Sequence, residues 1–414
     1  MQQRRNNIAV FEHECLKVGH IYQGVEFKKK HLESLEQYLG EKGTPYFSLI
    51  HNGVRFCEFV GAIQVGGLTI EVLPKADKSN DTEKWRRVLI GMLKKVGTFT
   101  ISATSHANLR LKSNHILDLY FDLFTTEVES LLHKGLVKKY RQTEGNLTTL
   151  KGKLNFSKHI NRNLIHQERF YVNHTIYDQQ HPLNQVLYKT IHLIRSINNN
   201  PILSSRIGSI LLDYPELSDI TVSDPWFNRI KYNRKTEHYR KAIEISRLLL
   251  LNYHPDLRHG QNHVLALMFD MNLLWEKFVY ISLRKYLKAD AILPQQKKSY
   301  WRIAGRTAVK LKPDIIIKRG DTTYVIDTKW KMMDRPRPAD DDLRQMYAYL
   351  KYFQAEQAIL CYPGENGMSP GNFYCEECEK ERYKCNLLQL PIGEGTNICN
   401  WQHAICETFT RNLA

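Results

Sequence analysis

The spacing of hydrophobic positions changes character twice along the chain. In residues 1–95 it favours strands. The run VRFCEFVGAIQVGGLTIEVLPK has two β-rich arms about Gly66-Gly67, and Leu68, Ile70 and Val72 alternate with Thr69 and Glu71. That period of two predicts a hairpin with one buried face. From residue 96 to 255 the period becomes helical. In ILDLYFDLFTTEVESLLHKGL, Leu117, Phe121, Phe124, Val128, Leu131 and Leu132 fall on one side, and Gly135 is placed to end the helix. HPLNQVLYKTIHLIRSI and KTEHYRKAIEISRLLLLNY repeat this helical pattern. In residues 256–414, HVLALMFDMNLLWEKFVYISLRKYL reads as one amphipathic helix. Short β-rich runs follow, then a helix from Asp340 to about Phe353, a strand at QAILCYP and a cysteine-bearing tail. A helix, strands, helix, strand order is an α/β pattern. The expectation is a multidomain α+β protein with a β-rich 1–95, a mainly helical 96–255 and an α/β 256–414.

Length and charge sharpen this outline. At roughly 150 residues per domain, 414 residues suggest two or three domains. Lys and Arg number 59 against 43 Asp and Glu, a net charge of +16, with 42% hydrophobic residues. This is the balance of a folded basic chain rather than a disordered one. No stretch reaches the ~20 apolar residues of a bilayer span, and MQQRRNNIAVFEHE has no apolar signal-peptide core. A cytoplasmic protein with no membrane partner is therefore expected. Surplus positive charge points to a polyanion, first of all nucleic acid, with a generally basic solubilising surface as the alternative. From Lys134 to Arg169 there are nine Lys or Arg, Lys151 and Lys153 among them, against Glu144 and Glu168. Such a segment can grip a phosphate backbone or be a solvated hairpin between helices.

The densest chemistry lies in LKPDIIIKRGDTTYVIDTKW, residues 311–330. Ile315 to Ile317 predict a strand, Arg319-Gly320-Asp321 a turn, and Tyr324 to Trp330 the returning strand. Asp327 and Lys329 are two apart and share a face, with Asp314 at the start of the partner strand. Two carboxylates and a lysine on one sheet face call for a compensating cation. Asp314 and Asp327 can hold Mg²⁺ (or Mn²⁺), and Lys329 can neutralise charge developing on a phosphoryl oxygen. An ordinary surface Asp–Lys pair is the competing reading. In DDDLRQMYAYLKYF the Asp run suits a helix N-terminus, while Gln345 and Tyr349 share a face at i, i+4. Glu276 sits in an apolar stripe, where a carboxylate is costly unless it meets a metal or a lysine.

PDIII…VIDTKW followed by QMYAY resembles the PD-(D/E)xK nuclease superfamily, in its RecB-like branch with a QxxxY helix. The pattern maps in order onto Glu276, Asp314, Asp327, Lys329, Gln345 and Tyr349. FVGAIQVGGLTIEVLPKAD, HKGLVKKYRQTEGNLTTLKGKLNF, LNQVL and MNLLWEKFV are similar to the McrC family, nuclease subunits of McrBC modification-dependent restriction systems. That resemblance implies Mg²⁺-dependent cleavage of double-stranded DNA carrying modified cytosine, with 5-methylcytosine the type case. It implies a McrB-like AAA+ GTPase ring as partner, on which the N-terminal part docks and whose GTP hydrolysis it stimulates. GTP would be bound by the partner, since this chain has no GxxxxGK[ST] loop. Glu276 would join Asp314 and Asp327 in the metal shell, Gln345 and Tyr349 would position the strand, and Lys331, Arg335 and Arg337 are candidates for backbone contacts, as are Lys151 and Lys153. A non-catalytic AAA+ activator and an autonomous RecB-like repair nuclease are the competing functions.

The tail departs from the family pattern. Cys375, Cys378 and Cys385, then Cys399, His403 and Cys406, offer sulfur and imidazole ligands of the kind zinc uses to staple a loop-rich extension. An iron–sulfur cluster, held in some RecB-like nucleases, and reduced free thiols are the other readings of this 375–406 segment.

Overall fold

The computed structural model describes residues 6–96, 115–254, 263–333, 337–364, 367–374, 383–393 and 397–413. The chain divides into two compact units, one of residues 1–116 with 254–414 and the other of residues 117–253. The β-rich start and the α/β end, read separately from the sequence, thus share one unit. None of the described helices is long and apolar enough to cross a membrane.

The joining element is a strand. Phe59–Val65 and Leu68–Leu73 form the expected antiparallel hairpin, with Val65 opposite Leu68 across Gly66-Gly67. Asn7–Phe11 adds in parallel to Leu68–Leu73, and Val264–Asp270 adds antiparallel to Phe59–Val65. Residues 264–270 were expected to begin a helix, and the structure corrects this: the helix is only Met271–Tyr286. VLALMFD presents apolar side chains to both faces, with Val264 to Leu267 all buried, so its run is that of a central strand. Period alone does not separate such a strand from a buried helix. Asp270 marks the change, its carboxylate accepting from Leu273 N–H at 3.0 Å as the N-cap. The pairing demands Gly61, where a Cβ would lie 2.0 Å from the Leu267 carbonyl oxygen.

Glu71, one of the polar positions in the alternation of residues 68–72, is 0% exposed. It accepts from Arg86 Nε at 2.7 Å and Ile116 N–H at 3.0 Å, so both faces of this sheet are covered. The face opposite to Glu71 carries a core of Ile8, Val10, Ile63, Ile70 and Val72 with Leu32 and Leu35 from the helix Lys29–Lys42.

A second sheet in the same unit runs Ala291–Pro294, Ile315–Arg319, Thr322–Thr328, Gln357–Pro363, Tyr383–Leu390, with Met368–Ser369 beyond. Its first three strands are antiparallel, and from Thr322–Thr328 onward the neighbours Gln357–Pro363 and Tyr383–Leu390 are parallel. The helix Asp340–Phe353, found at its expected bounds, is the crossover between the first parallel pair and packs Met346, Tyr349 and Leu350 on Val325, Ala358 and Leu360. The helix Met271–Tyr286 packs on Ala291–Pro294 and Thr322–Thr328, backed by the helix Ile398–Asn412. The described parts of the tail, 383–393 and 397–413, are therefore not a loop-rich extension. Tyr383–Leu390 is an interior strand, apolar over most of its length because a parallel strand is covered on both sides.

In the unit 117–253 the helix that begins at Ile116 buries Leu117, Phe121, Phe124, Val128 and Leu131 and pairs Asp122 and Glu129 with Arg206 of Pro201–Asp213, while Pro182–Ile197 packs on Pro201–Asp213 and Arg240–Leu251. Gly135 follows with φ 82°. The basic interval is an antiparallel ribbon, Lys139–Leu147 with Phe170–Asp178, carrying the short helix Phe156–Asn163.

Candidate active site

The sequence motif becomes a site because one hairpin and one crossover helix converge. Ile315 lies opposite Ile326, so Asp314 at the entry of one strand reaches the end of the other. Asp314 Oδ2 accepts from Thr328 N–H at 2.7 Å and Thr328 Oγ1 at 2.8 Å. Asp327, 3% exposed, points to the face covered by Asp340–Phe353. Lys329 lies one residue past the strand end, yet its N–H still donates to the Cys361 carbonyl at 2.8 Å, which keeps its side chain on that face. Its ammonium is 2.9 Å from Asp327 Oδ2 and 3.5 Å from both Asp342 Oδ1 and Gln345 Oε1. Gln345 Nε2 donates to Tyr349 Oη at 2.6 Å, and Tyr349 donates to the Lys312 carbonyl at 3.0 Å, just before Asp314. Glu276, from the helix Met271–Tyr286, accepts from Gln295 Nε2 at 2.8 Å. Gln295 also donates its N–H to the Asp314 carbonyl at 2.9 Å while held at φ 47°, a conformation costly for a non-glycine residue.

The electrostatics are those of acids crowded without a cation. Burial first, and then the charge of Asp314, push the Asp327 carboxyl up to about 6. Asp314 is raised by burial and then by Glu276, and Glu276 is raised by burial. Lys329 keeps its proton despite burial because Asp327, Asp342 and Asp314 surround it. Burial raises the Tyr349 phenol to about 12, so this hydroxyl is a hydrogen-bond donor at neutral pH. Asp327 is buried and Asp314 and Glu276 half-buried, and three such carboxyls with raised pKa in one place are a recognised mark of a functional site.

Glu276, Asp314 and Asp327 offer oxygen ligands of the kind a hard divalent cation takes. Asp327 Oδ2 is buried, with the Lys329 ammonium 2.9 Å away and no further hydrogen-bond partner among the described residues, so a lone pair is left for such an ion. Their oxygens are otherwise engaged with Thr328, Gln295 and Lys329. Among the described residues no group of three or more His, Cys, Asp or Glu is gathered closely enough to hold a metal as it stands.

The same is true of the expected zinc ligands. Cys375 and Cys378 lie outside the described residues. Cys385 is in the sheet core with Tyr349 and Leu387, whereas Cys399, His403 and Cys406 ride on the helix Ile398–Asn412. His403 packs its ring 3.8 Å from that of Tyr286, Cys399 lies 3.7 Å from Lys95 Nζ, and Cys406 is buried. Burial holds the Cys385 thiol up at about 12. A zinc staple drawn from all six is thus not assembled by the four that are described: Cys385 lies in the strand Tyr383–Leu390, and Cys399, His403 and Cys406, although at i, i+4 and i+7 of one helix, are not gathered into a ligand group. Of the proposed DNA contacts, Lys331 pairs with Asp342 at 2.8 Å and Arg337 is exposed. Arg335 lies outside the described residues, and Lys151 and Lys153 are exposed in the unit 117–253.

Three participants escaped the sequence reading. Asp342, taken as part of an acidic helix start, holds both Lys329 and Lys331. Thr328 fixes Asp314, and Gln295 fixes Glu276. Only Asp342 left a signal, since it precedes Gln345 by three positions and so shares its helix face. Trp330 closes the site strand by a different means, donating Nε1–H to Glu12 Oε1 at 2.8 Å between the rings of Trp85 and Trp275.

Comparison with known proteins agrees with the family resemblance. Residues 54–363 match the family model described as McrBC 5-methylcytosine restriction system component. The fold is similar to that of a chain in the refined half-complex from the tetradecameric assembly of Thermococcus gammatolerans McrB AAA+ hexamers with bound McrC. There the TM-score is 0.72 at 19% identity, covering 99% of this chain and 100% of that one. The cryo-EM structure of the Thermococcus gammatolerans McrBC complex is also matched, at TM-score 0.48 and 19% identity over 69% of this chain and 89% of that one. No curated protein sequence matches this chain.

Proposed function

Since the chain belongs to the McrBC 5-methylcytosine restriction system component family, we propose that it is the McrC-like nuclease subunit of such a system, hydrolysing DNA phosphodiesters with Mg²⁺. The observation that carries this reading is the convergence of Asp314, Asp327 and Glu276, each raised in pKa first by burial, with the Lys329 ammonium beside Asp327. The sheet with its crossover helix and the order of the motif residues support a PD-(D/E)xK nuclease domain in the unit formed by residues 1–116 and 254–414.

The chemistry follows from these side chains. Asp314, Asp327 and Glu276 would hold Mg²⁺, which when bound supplies Lewis-acid charge and an acidified water. Thr328 favours the ionised form of Asp314 and aims it by donating twice to one oxygen. Lys329 remains protonated and places its ammonium where negative charge grows on the phosphorane oxygens or the attacking oxygen. Asp342 draws that ammonium away from a full embrace by Asp327, and Gln345 braces it from the helix. Tyr349 fixes the backbone at Lys312, and with it the approach to Asp314.

The family and the solved assembly support a partner, an AAA+ GTPase ring of McrB type, which would bring the GTP-driven motor and the recognition of modified cytosine. The test is reconstitution of the purified chain with that GTPase, GTP, Mg²⁺ and methylated DNA. Cutting is expected, and Asp314→Ala should abolish it while leaving stimulation of GTP hydrolysis. Equal cutting by Asp314→Ala would sink the assignment, and stimulation without any cutting by the unaltered chain would make it a non-catalytic activator.

A further inference from the structure

Immediately before Asp314 the chain makes a hairpin, Lys298–Trp301 paired antiparallel with Val309–Leu311. Between Asp290 and Asp314 there are six cations, Lys297, Lys298, Arg302, Arg306, Lys310 and Lys312, and no acid. All six are exposed, and among the described residues none is within ion-pair distance of a carboxylate. Some exposed cations of the same unit are paired, as in Lys331–Asp342, Arg344–Asp341 and Arg411–Glu407, and others, such as Lys30, Arg87 and Lys318, have no ion pair among the described residues; what sets the hairpin apart is six cations within residues 297–312 with no acid among them. Like charges spaced along a narrow two-stranded ribbon repel one another. A run of them with no close ion pair along it is a surface that attracts a polyanion.

The ribbon also exposes apolar side chains. Trp301 is 55% exposed, with Ile303 and Val309 beside it. No ring packs on Trp301 among the described residues, whereas its neighbour Tyr300 meets Tyr352 edge-on at 5.8 Å. The base of the hairpin is bound to the acid site on both sides. Gln295 holds Glu276, the Lys312 carbonyl receives Tyr349, and Lys298 donates to the Tyr352 carbonyl at the end of the helix Asp340–Phe353.

From this we infer that the Lys298–Leu311 hairpin is a DNA clamp of the nuclease, entering a groove of the duplex with its cations on the phosphates and Trp301 against the base edges. The inference rests on the nuclease reading above and adds the surface that presents the substrate. Three carboxylates repel a phosphate backbone, so a site built from them needs fixed positive charge next to it to bring the scissile phosphate within reach. A two-stranded ribbon is of a width that the major groove, about 12 Å across, admits. An exposed indole on such a ribbon is the kind of side chain that stacks on or wedges between bases. An acidic protein surface would meet the same cations but gives the unpaired Trp301 no flat ring to cover.

The test uses the full-length chain and a fluorescein-labelled methylated duplex, with binding measured by anisotropy over a salt series. The triple variant Arg302→Ala, Arg306→Ala, Lys310→Ala should bind at least roughly tenfold more weakly, and its slope of log affinity against log salt should fall by about 2 to 3, near 0.9 for each phosphate no longer neutralised. Trp301→Ala should weaken binding with the salt slope unchanged, because stacking releases no counterions. A triple variant with Arg302→Lys, Arg306→Lys and Lys310→Arg should keep most of the affinity, which separates charge from damage to the fold. Unchanged affinity and slope in the alanine variant would overturn the clamp, whatever the cleavage result. So would a variant that binds DNA normally but fails to assemble with the GTPase, since the hairpin would then be a protein-docking surface. If hairpin variants lose DNA binding while the unaltered chain with its partner never cuts, the clamp stands and the nuclease reading falls.

Discussion

Replacing Asp327 by Asn should make the cation-free protein more stable while abolishing cleavage. Asp327 is raised in the folded state from 3.8 to about 6. An acid whose folded pKa exceeds its unfolded value binds more protons when folded, so stability falls as pH climbs from about 4 to about 6 and stays reduced above that. A rise of about two units at roughly 1.4 kcal/mol each puts the cost near 3 kcal/mol at pH 7. That figure already contains the favourable ion pair with Lys329, which the variant loses while Lys329 retains Asp342, and exchange of the carboxyl for an amide in a packed site takes back part of the gain. A net gain of about 1–2 kcal/mol is expected for Asp327→Asn in EDTA at pH 7. The assay is urea unfolding followed by tryptophan fluorescence, which Trp85, Trp275, Trp330 and Trp401 report from the unit holding the site. The advantage of the variant should shrink as pH falls toward 4. Added Mg²⁺ should stabilise the unaltered protein by mass action, about 1.4 kcal/mol at ten times its dissociation constant, and the variant less. A variant less stable than the parent in EDTA at pH 7, or one stabilised equally by Mg²⁺, would refute the picture of acids held together against their repulsion.

Three further predictions test other parts of the structure. Asp342→Asn frees Lys329 and Lys331 and should lower the cleavage kcat roughly ten- to a hundredfold with KM little changed, the size of effect that ångström-scale misplacement brings; an equal fall in kcat/KM through KM alone would point to binding instead. Arg86→Ala leaves Glu71 buried without its guanidinium and should cost about 3–5 kcal/mol in urea unfolding, and the double variant Glu71→Leu, Arg86→Met should recover much of that loss, an outcome that a double-mutant cycle measures directly. His31 Nδ1 accepts the Lys28 N–H at 3.2 Å, and burial lowers its pKa to about 4. Because the unfolded chain then binds the extra proton between about 6.5 and 4, stability should fall as pH drops through that window, by up to about 3 kcal/mol, and His31→Gln, which keeps an acceptor without titrating, should flatten that part of the pH profile.

Much of the site was legible because its residues are local. Asp314, Asp327 and Lys329 lie on one hairpin, and Gln345 and Tyr349 on one turn of helix, so strand and helix periods alone bring each set to one face. The helix Asp340–Phe353 and the strand Gln357–Pro363 stand at their expected bounds for the same reason. Residues 264–270 went astray because an unbroken apolar run has no period to read, and only its pairing with Phe59–Val65 makes it a strand. That pairing also joins the β-rich start to the α/β end.

The sequence by itself determined which side chains could do chemistry and which neighbours along the chain they would share a face with. It did so because periods of 2 and 3.6 are properties of the backbone that each residue carries wherever it goes. The tertiary structure decided what those side chains meet. Gln295 turns to Glu276, Asp342 to Lys329, Trp330 to Glu12, and Cys385 and Cys406 into separate cores. Each of these depends on which apolar surfaces pack together over long stretches of chain, and a buried charge or thiol takes whatever partner that packing leaves within reach.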